Sequence, residues 1–95
     1  MNATQLAGYD HCSMTVSDLK IVNRQRVEKA RFRGESYWNQ QPADGLIVLL
    51  SGDLTVHYVD RRHELVPGEL FQLHRLSYYR LTSSAGAEII TLERP

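Results

Sequence analysis

The residues able to do chemistry are few in this chain, and they stand apart from one another. Four histidines occur, at positions 11, 57, 63 and 74, with one cysteine, Cys12. A lone thiol forms no internal disulfide and fits no metal-ligand spacing, so Cys12 reads as a buried or incidental thiol. His11 beside it adds nothing, because neighbours on an extended chain point to opposite faces. No GxSxG, P-loop, HExxH or dinucleotide fingerprint occurs. Glu35, Asp44, Glu64, Glu69 and Glu88 fall at turns or strand ends, where carboxylates are ordinarily solvated. No nucleophile-base arrangement is visible. The residues therefore assign no catalytic group and argue for no enzyme.

The totals narrow the classes further. Ninety-five residues make one domain over 1–95, with a core small enough that a dimer burying more surface is expected. Eleven basic residues balance eleven acidic ones. The nearest basic stripe, Arg24, Arg26, Arg31 and Arg33, is interrupted by Glu28 and Glu35. A nucleic-acid partner is not expected on that charge pattern. No run approaches the ~18 apolar residues of a membrane helix, and Leu46–Leu50 is only strand-length. The opening MNATQLAGYDHCS lacks a basic flank and apolar run. The expectation is a soluble, cytoplasmic protein without membrane partners.

The elements that must position these residues are short strands. Residues 1–13 are polar and aperiodic, expected as an irregular N-terminal arm. Leu19–Val22 is a strand candidate. Over 27–33, Ala30 and Phe32 share a parity with Glu28 and Gly34, the alternation of a half-buried strand. A helix over 17–33 competes, disfavoured by Asn23 and the β-branched Val16, Ile21, Val22 and Val27. Leu46–Leu50 is apolar on both parities, the mark of a strand covered on both sides. Leu54, Val56 and Tyr58 face one way; Thr55, His57 and Val59 face the other. His63, across the Asp60–Arg62 loop, could then approach His57. Pro67-Gly68 signals a turn. Strands follow at Leu70–Leu73, Tyr78–Thr82 and Glu88–Glu93, the last two split by a turn over Ser83–Gly86. About eight short strands at this spacing make an all-β single domain, a small jelly roll or β-barrel.

The glycine and strand rhythm over residues 27–93 resembles the cupin superfamily, small jelly-roll barrels marked by GxxxxxHxHxxxxExxxxxxG and GxxxxxPxGxxHxxxN. Gly34 sits where the first motif opens and Gly52 where it closes. LLSGDLTVHYVD resembles its leucine-glycine-acid hairpin, LVPGELFQL the opening of the second motif, and GAEIITLE the closing strand. Counted back from Gly52 with one residue fewer before the Glu, the first motif's metal-ligand positions hold Asn39, Gln41 and Gly45; a register shifted by one gives Trp38 and Gln40 instead, and counting from Gly68 puts Tyr79 at the remaining His position. The second motif's proline, glycine and asparagine positions hold His74, Leu76 and Ser83. Neutral amides and a protonated phenol repay the dehydration of a divalent ion poorly, so no metal and no cofactor are expected.

The resemblance implies that Asn39, Gln41 and Tyr79 point into the barrel, with Trp38 beside them and His74 at the mouth. Tyr78, Arg75 and Arg80 would add a stacking surface and a positive rim. Amides and a phenol suit a small polar organic ligand, and Trp38, Asn39, Gln41, His74 and Tyr79 are the candidate ligand-binding residues. Side chains that fill the barrel and bond one another are the equal alternative. The reading is a metal-free cupin-like binding or sensing module, dimeric through the cover that Leu46–Leu50 needs. One rival is a metal-dependent oxygenase or isomerase drawing on His57, His63 and His74. The other is a regulatory barrel, similar to the sensor half of arabinose-type transcription regulators, acting through a partner protein.

Overall fold

Asn23 and Arg24 carry the backbone into the left-handed region, at φ 51° and 67°. They close a two-residue hairpin between β1 (His11–Val22) and β2 (Gln25–Glu35). A hairpin turn with positive φ at both central positions matches the right-handed twist of its strands, and asparagine tolerates that conformation. The competing helix over 17–33 is therefore replaced by two long strands. The computed structural model describes residues 11–93, with only the backbone of His11. The arm expected over 1–13 lies outside the described residues up to 10, and its last three residues belong to β1. Cross-strand hydrogen bonding to Glu35, Gly34 and Arg33 overrides their polarity. In β2 the expected parity holds, with Ala30 and Phe32 buried between exposed neighbours.

Six further strands follow: β3 (Asn39–Gln40), β4 (Gly45–Gly52), β5 (Leu54–His57), β6 (Arg62–Leu65), β7 (Leu70–Leu73) and β8 (Tyr78–Glu93). The turn between β6 and β7 has its Pro-Gly pair at the two central positions. Gly68 takes φ 89° and the Glu69 amide donates to the Val66 carbonyl, a type II turn. Strand order in one layer is β1-β2-β8-β4-β7. The first half of β8 leaves that layer and pairs with β5 and β3, and β5 pairs on to β6. All pairings are antiparallel, and the described residues contain no helix. The sheet does not close on itself, so the architecture is a β-sandwich of the jelly-roll kind, open at one side. Its core is Phe32, Ile47, Leu49, Leu54, Val56 and Ile89, each almost fully buried. Each such side chain contributes roughly 1.5–3 kcal/mol by leaving water.

Strand β8 spans both layers because it bends, and the bend corrects one expectation. Ser83–Gly86 is a corner inside one continuous strand of 16 residues, not a turn between two. Opposite it, the β2 pairing jumps from Phe32↔Ala87 to Gly34↔Ser83. Asp53 holds the corner. One carboxylate oxygen accepts from Ala85 N (2.8 Å) and Ser83 Oγ (3.1 Å), the other from Ser84 N (2.9 Å) and Ser84 Oγ (3.1 Å). Led by the Ser84 amide, these donors hold the Asp53 carboxyl below its ordinary value, against a smaller desolvation effect.

Candidate functional site

Three rungs across β2, β8 and β4 show where the interior stops being apolar. Ala30, Ile89 and Leu49 form one rung; Glu28, Thr91 and Ile47 the next; Arg26, Glu93 and Gly45 the last. All three lie on the inward parity. The polar end of this ladder opens into a cavity of about 260 Å³. Ile47, Leu73, Leu81, Ile89 and Met14 make its apolar wall, and Gln41, Tyr79, Glu28, Arg26, Thr91 and Glu93 its polar one.

Gln41 is the most buried polar side chain there, with 3% of its surface exposed. Its backbone amide donates to the Ser77 carbonyl and its carbonyl accepts from Leu76 N, which fixes the residue between two segments. Its side-chain Nε2 donates to the Ala43 carbonyl at 2.8 Å and lies 3.5 Å from Glu93 Oε1. Gly45 lies beside it. A Cβ there would stand 2.8 Å from the Leu92 carbonyl oxygen and 3.0 Å from Gln41 Nε2, so no side chain fits. Tyr79 packs against the core and lines the same cavity. At the rim, Arg26 donates to Glu28 Oε1 at 2.6 Å.

Of the five residues proposed from sequence, the fold brings Gln41 and Tyr79 together and leaves three outside. Asn39 pairs with Tyr79 across β3 and β8, yet its short amide turns back to donate to the Tyr37 carbonyl (2.9 Å) and stays exposed. Such local amide-to-backbone bonding is what short polar side chains favour at strand edges. Trp38 is about half exposed, and Arg80 places its guanidinium 5.8 Å from the indole ring. His74 is exposed at the first position of a turn, where its carbonyl accepts from Ser77 N and Ser77 Oγ. Glu28, Thr91 and Glu93 escaped the sequence reading. Their signal was their parity, since Glu28 alternates with Ala30 and Phe32, and Thr91 and Glu93 with Ile89.

His57 and His63 do not converge. His57 faces outward, and its Nε2 lies 2.8 Å from Thr82 Oγ1. Desolvation first, then the charges of Arg80 and Arg62, push its pKa below the usual imidazole value, partly offset by Glu35. His63 pairs with Val56, on the inward parity, so it lies across the sheet from His57 and the expected approach does not occur. It stacks on Phe71 and sits 2.6 Å from Glu69 Oε2. Among the described residues no three His, Cys, Asp or Glu side chains gather in a metal-binding group. The metal-ligand positions implied by the resemblance hold two amides, a phenol and a glycine without room for a carboxylate. A divalent ion does not fit that donor set.

Comparisons agree on the architecture. A cupin-2 domain protein of Shewanella frigidimarina superimposes at TM-score 0.76 with 15% identity, covering 85% of this chain and 83% of that one. A cupin superfamily protein of Desulfitobacterium hafniense gives 0.74 at 12% identity, over 90% and 79%. The EutQ protein of Clostridium difficile gives 0.75 at 15%, over 86% and 68%. No family model and no curated protein matches the sequence. At these identities the likeness carries the fold and not the chemistry. The chain has the cupin fold.

Proposed function

We propose that this chain is a metal-free binding or sensing module whose barrel cavity takes a small polar organic ligand, with Gln41 and Tyr79 as the groups that meet it. One observation carries the reading. Gln41 and Tyr79 line one cavity and Gly45 lies beside Gln41, so an amide, a phenol and no side chain stand where the cupin resemblance expects metal ligands. The cavity is smaller than a drug-sized site, which suits a compact guest. Its mixed lining suits a molecule with both an apolar part and hydrogen-bonding groups.

A second copy of the chain is the cover we propose for the outer face of β4, where Leu46, Val48 and Leu50 alternate with the core positions. Leu46 and Leu50 are over one-third exposed, and Leu70 on β7, cross-strand from Val48, is 66% exposed. Lys29 and Arg31 flank this face together with Glu88, each about 4 Å from it, so its edges carry both signs of charge. Apolar centre and mixed-charge rim are self-complementary under a two-fold axis.

The test is elemental analysis of protein purified without chelators, together with Gln41→Ala and Tyr79→Phe. The expected outcome is no stoichiometric transition metal, both variants folded, and weakened retention of whatever guest native mass spectrometry finds in the wild type. A bound metal surviving dialysis sinks the metal-free reading. Global unfolding of both variants would instead assign the two side chains to a packed interior.

A further inference from the structure

The cavity that the proposed function rests on has a charge character of its own. Its apolar wall is closed by two carboxylates, Glu28 and Glu93, against one guanidinium, Arg26. That guanidinium is already committed. Its Nε and a terminal nitrogen both sit 2.6 Å from the same oxygen, Glu28 Oε1, and the Arg26 side chain is 56% exposed while Glu28 is 22% exposed. Although Arg26 is the direct cross-strand partner of Glu93, it turns along its own strand to Glu28 instead. Among the described residues, Glu93 keeps a single polar side-chain contact, the 3.5 Å approach of Gln41 Nε2.

Gln41 supplies an independent observation. Its side chain is nine-tenths buried and lines the cavity, and its Nε2 is spent on Ala43 and Glu93. Among the described residues its Oε1 accepts no hydrogen bond, yet it is not among the solvent-sealed orphan atoms, of which Arg80 Nε is the one found. Glu28 pairs with Thr91, and Glu93 lies two residues further along β8, so the two carboxylates are diagonal neighbours. Such neighbours are about 7–8 Å apart at Cα, within reach of long side chains.

The Gln41 amide oxygen and two carboxylates, set over an apolar wall, form an acceptor-rich head, and the Tyr79 and Thr91 hydroxyls beside it can accept as well as donate. An ammonium offers three donors and no acceptor. We propose that the cavity's ligand is a small primary amine, its ammonium held by Glu93, Glu28 and Gln41 Oε1 and its short carbon body lying against Leu73, Leu81 and Ile89. Carboxylate ligands are disfavoured by the same charges, and neutral alcohols satisfy the acceptors only in part.

Three probes of one shape decide this: butylammonium, 1-butanol and butyrate, titrated into the full chain at pH 7 and followed by amide and side-chain NMR shifts. The expected result is saturable shifts at Gln41, Tyr79 and Thr91 with butylammonium, at least about tenfold tighter than with butanol, and none with butyrate. Glu93→Gln should weaken butylammonium binding by about tenfold and butanol binding by no more than about twofold, and its thermal melt should match the wild type. Should Glu93→Gln unfold, Glu28→Gln carries the same comparison. Butyrate or butanol binding in the cavity as tightly as the amine overturns the proposal but leaves the binding-module reading standing. Amine shifts confined to outward residues such as Glu64, or no shifts with any probe, also overturn it. The module reading is then decided by the Gln41→Ala and Tyr79→Phe guest-retention test alone.

Discussion

Gly52 and Leu76 both hold the backbone at positive φ, 88° and 68°, with opposite consequences for substitution. Gly52 is pressed against the corner of β8, and a Cβ there would collide with the Gly86 carbonyl. Left-handed strain and overpacking together should make Gly52→Ala destabilising by about 2–4 kcal/mol, read from the midpoint of a urea unfolding curve. Leu76 occupies the position that the cupin resemblance gives to glycine, and it is 61% exposed. It therefore bears conformational strain with little burial in return. Leu76→Asn should raise stability by about 0.5–1 kcal/mol, since asparagine enters the left-handed region more easily. The β-branched Leu76→Val should lower it. Equal melting curves for the two would refute the strain argument. The left-handed backbone kept here by a leucine also supports the register that places Tyr79 three residues on, inside the cavity.

Among the elements, β8 is decisive, because one strand serves both layers and its corner sets their angle. Asp53 is the residue that fixes the corner, through two backbone amides and two hydroxyls. Bonds to a charged acceptor contribute more than neutral ones, but Asp53 is only half-buried, so Asp53→Asn should cost about 1–2 kcal/mol. The pH dependence has a definite sign. The folded carboxyl titrates below its ordinary value of 3.8, so the unfolded chain binds more protons in that window. The stabilisation is present above pH 3.8 and is lost as pH falls through the folded value. Acid unfolding followed by circular dichroism should therefore show a shallower slope near and below pH 4 in Asp53→Asn. An unchanged slope would remove Asp53 from the account. The same corner leads Tyr78–Ser83 towards β3 and so carries Tyr79 to the cavity.

At the scale of the molecule, a 95-residue chain with a single small core leaves apolar surface on the outer face of β4 and β7. If a second copy covers it, sedimentation equilibrium should give a dimer that Leu46→Glu with Leu70→Glu converts to a monomer, without loss of strand content. A wild-type monomer at high protein concentration would end the dimer reading. The described residues contain no helix long and apolar enough to cross a membrane.

What the sequence by itself determined was local. Alternation in 27–33 and 54–58 and the Pro67-Gly68 turn each depend on neighbouring residues, whose sterics and parity are written in order along the chain. The glycine spacing extended that reading to the fold. Tertiary structure alone decided which polar groups share a space. Gln41 and Tyr79 meet because Leu76 and Ser77 hold Gln41 by backbone hydrogen bonds across more than thirty residues of sequence, while Asn39, two residues away, bonds its own neighbour and drops out. Glu28 and Glu93 become cavity walls through the register of β2 against β8. Register between distant strands is set by the packing of the whole core, and no short stretch of residues encodes it.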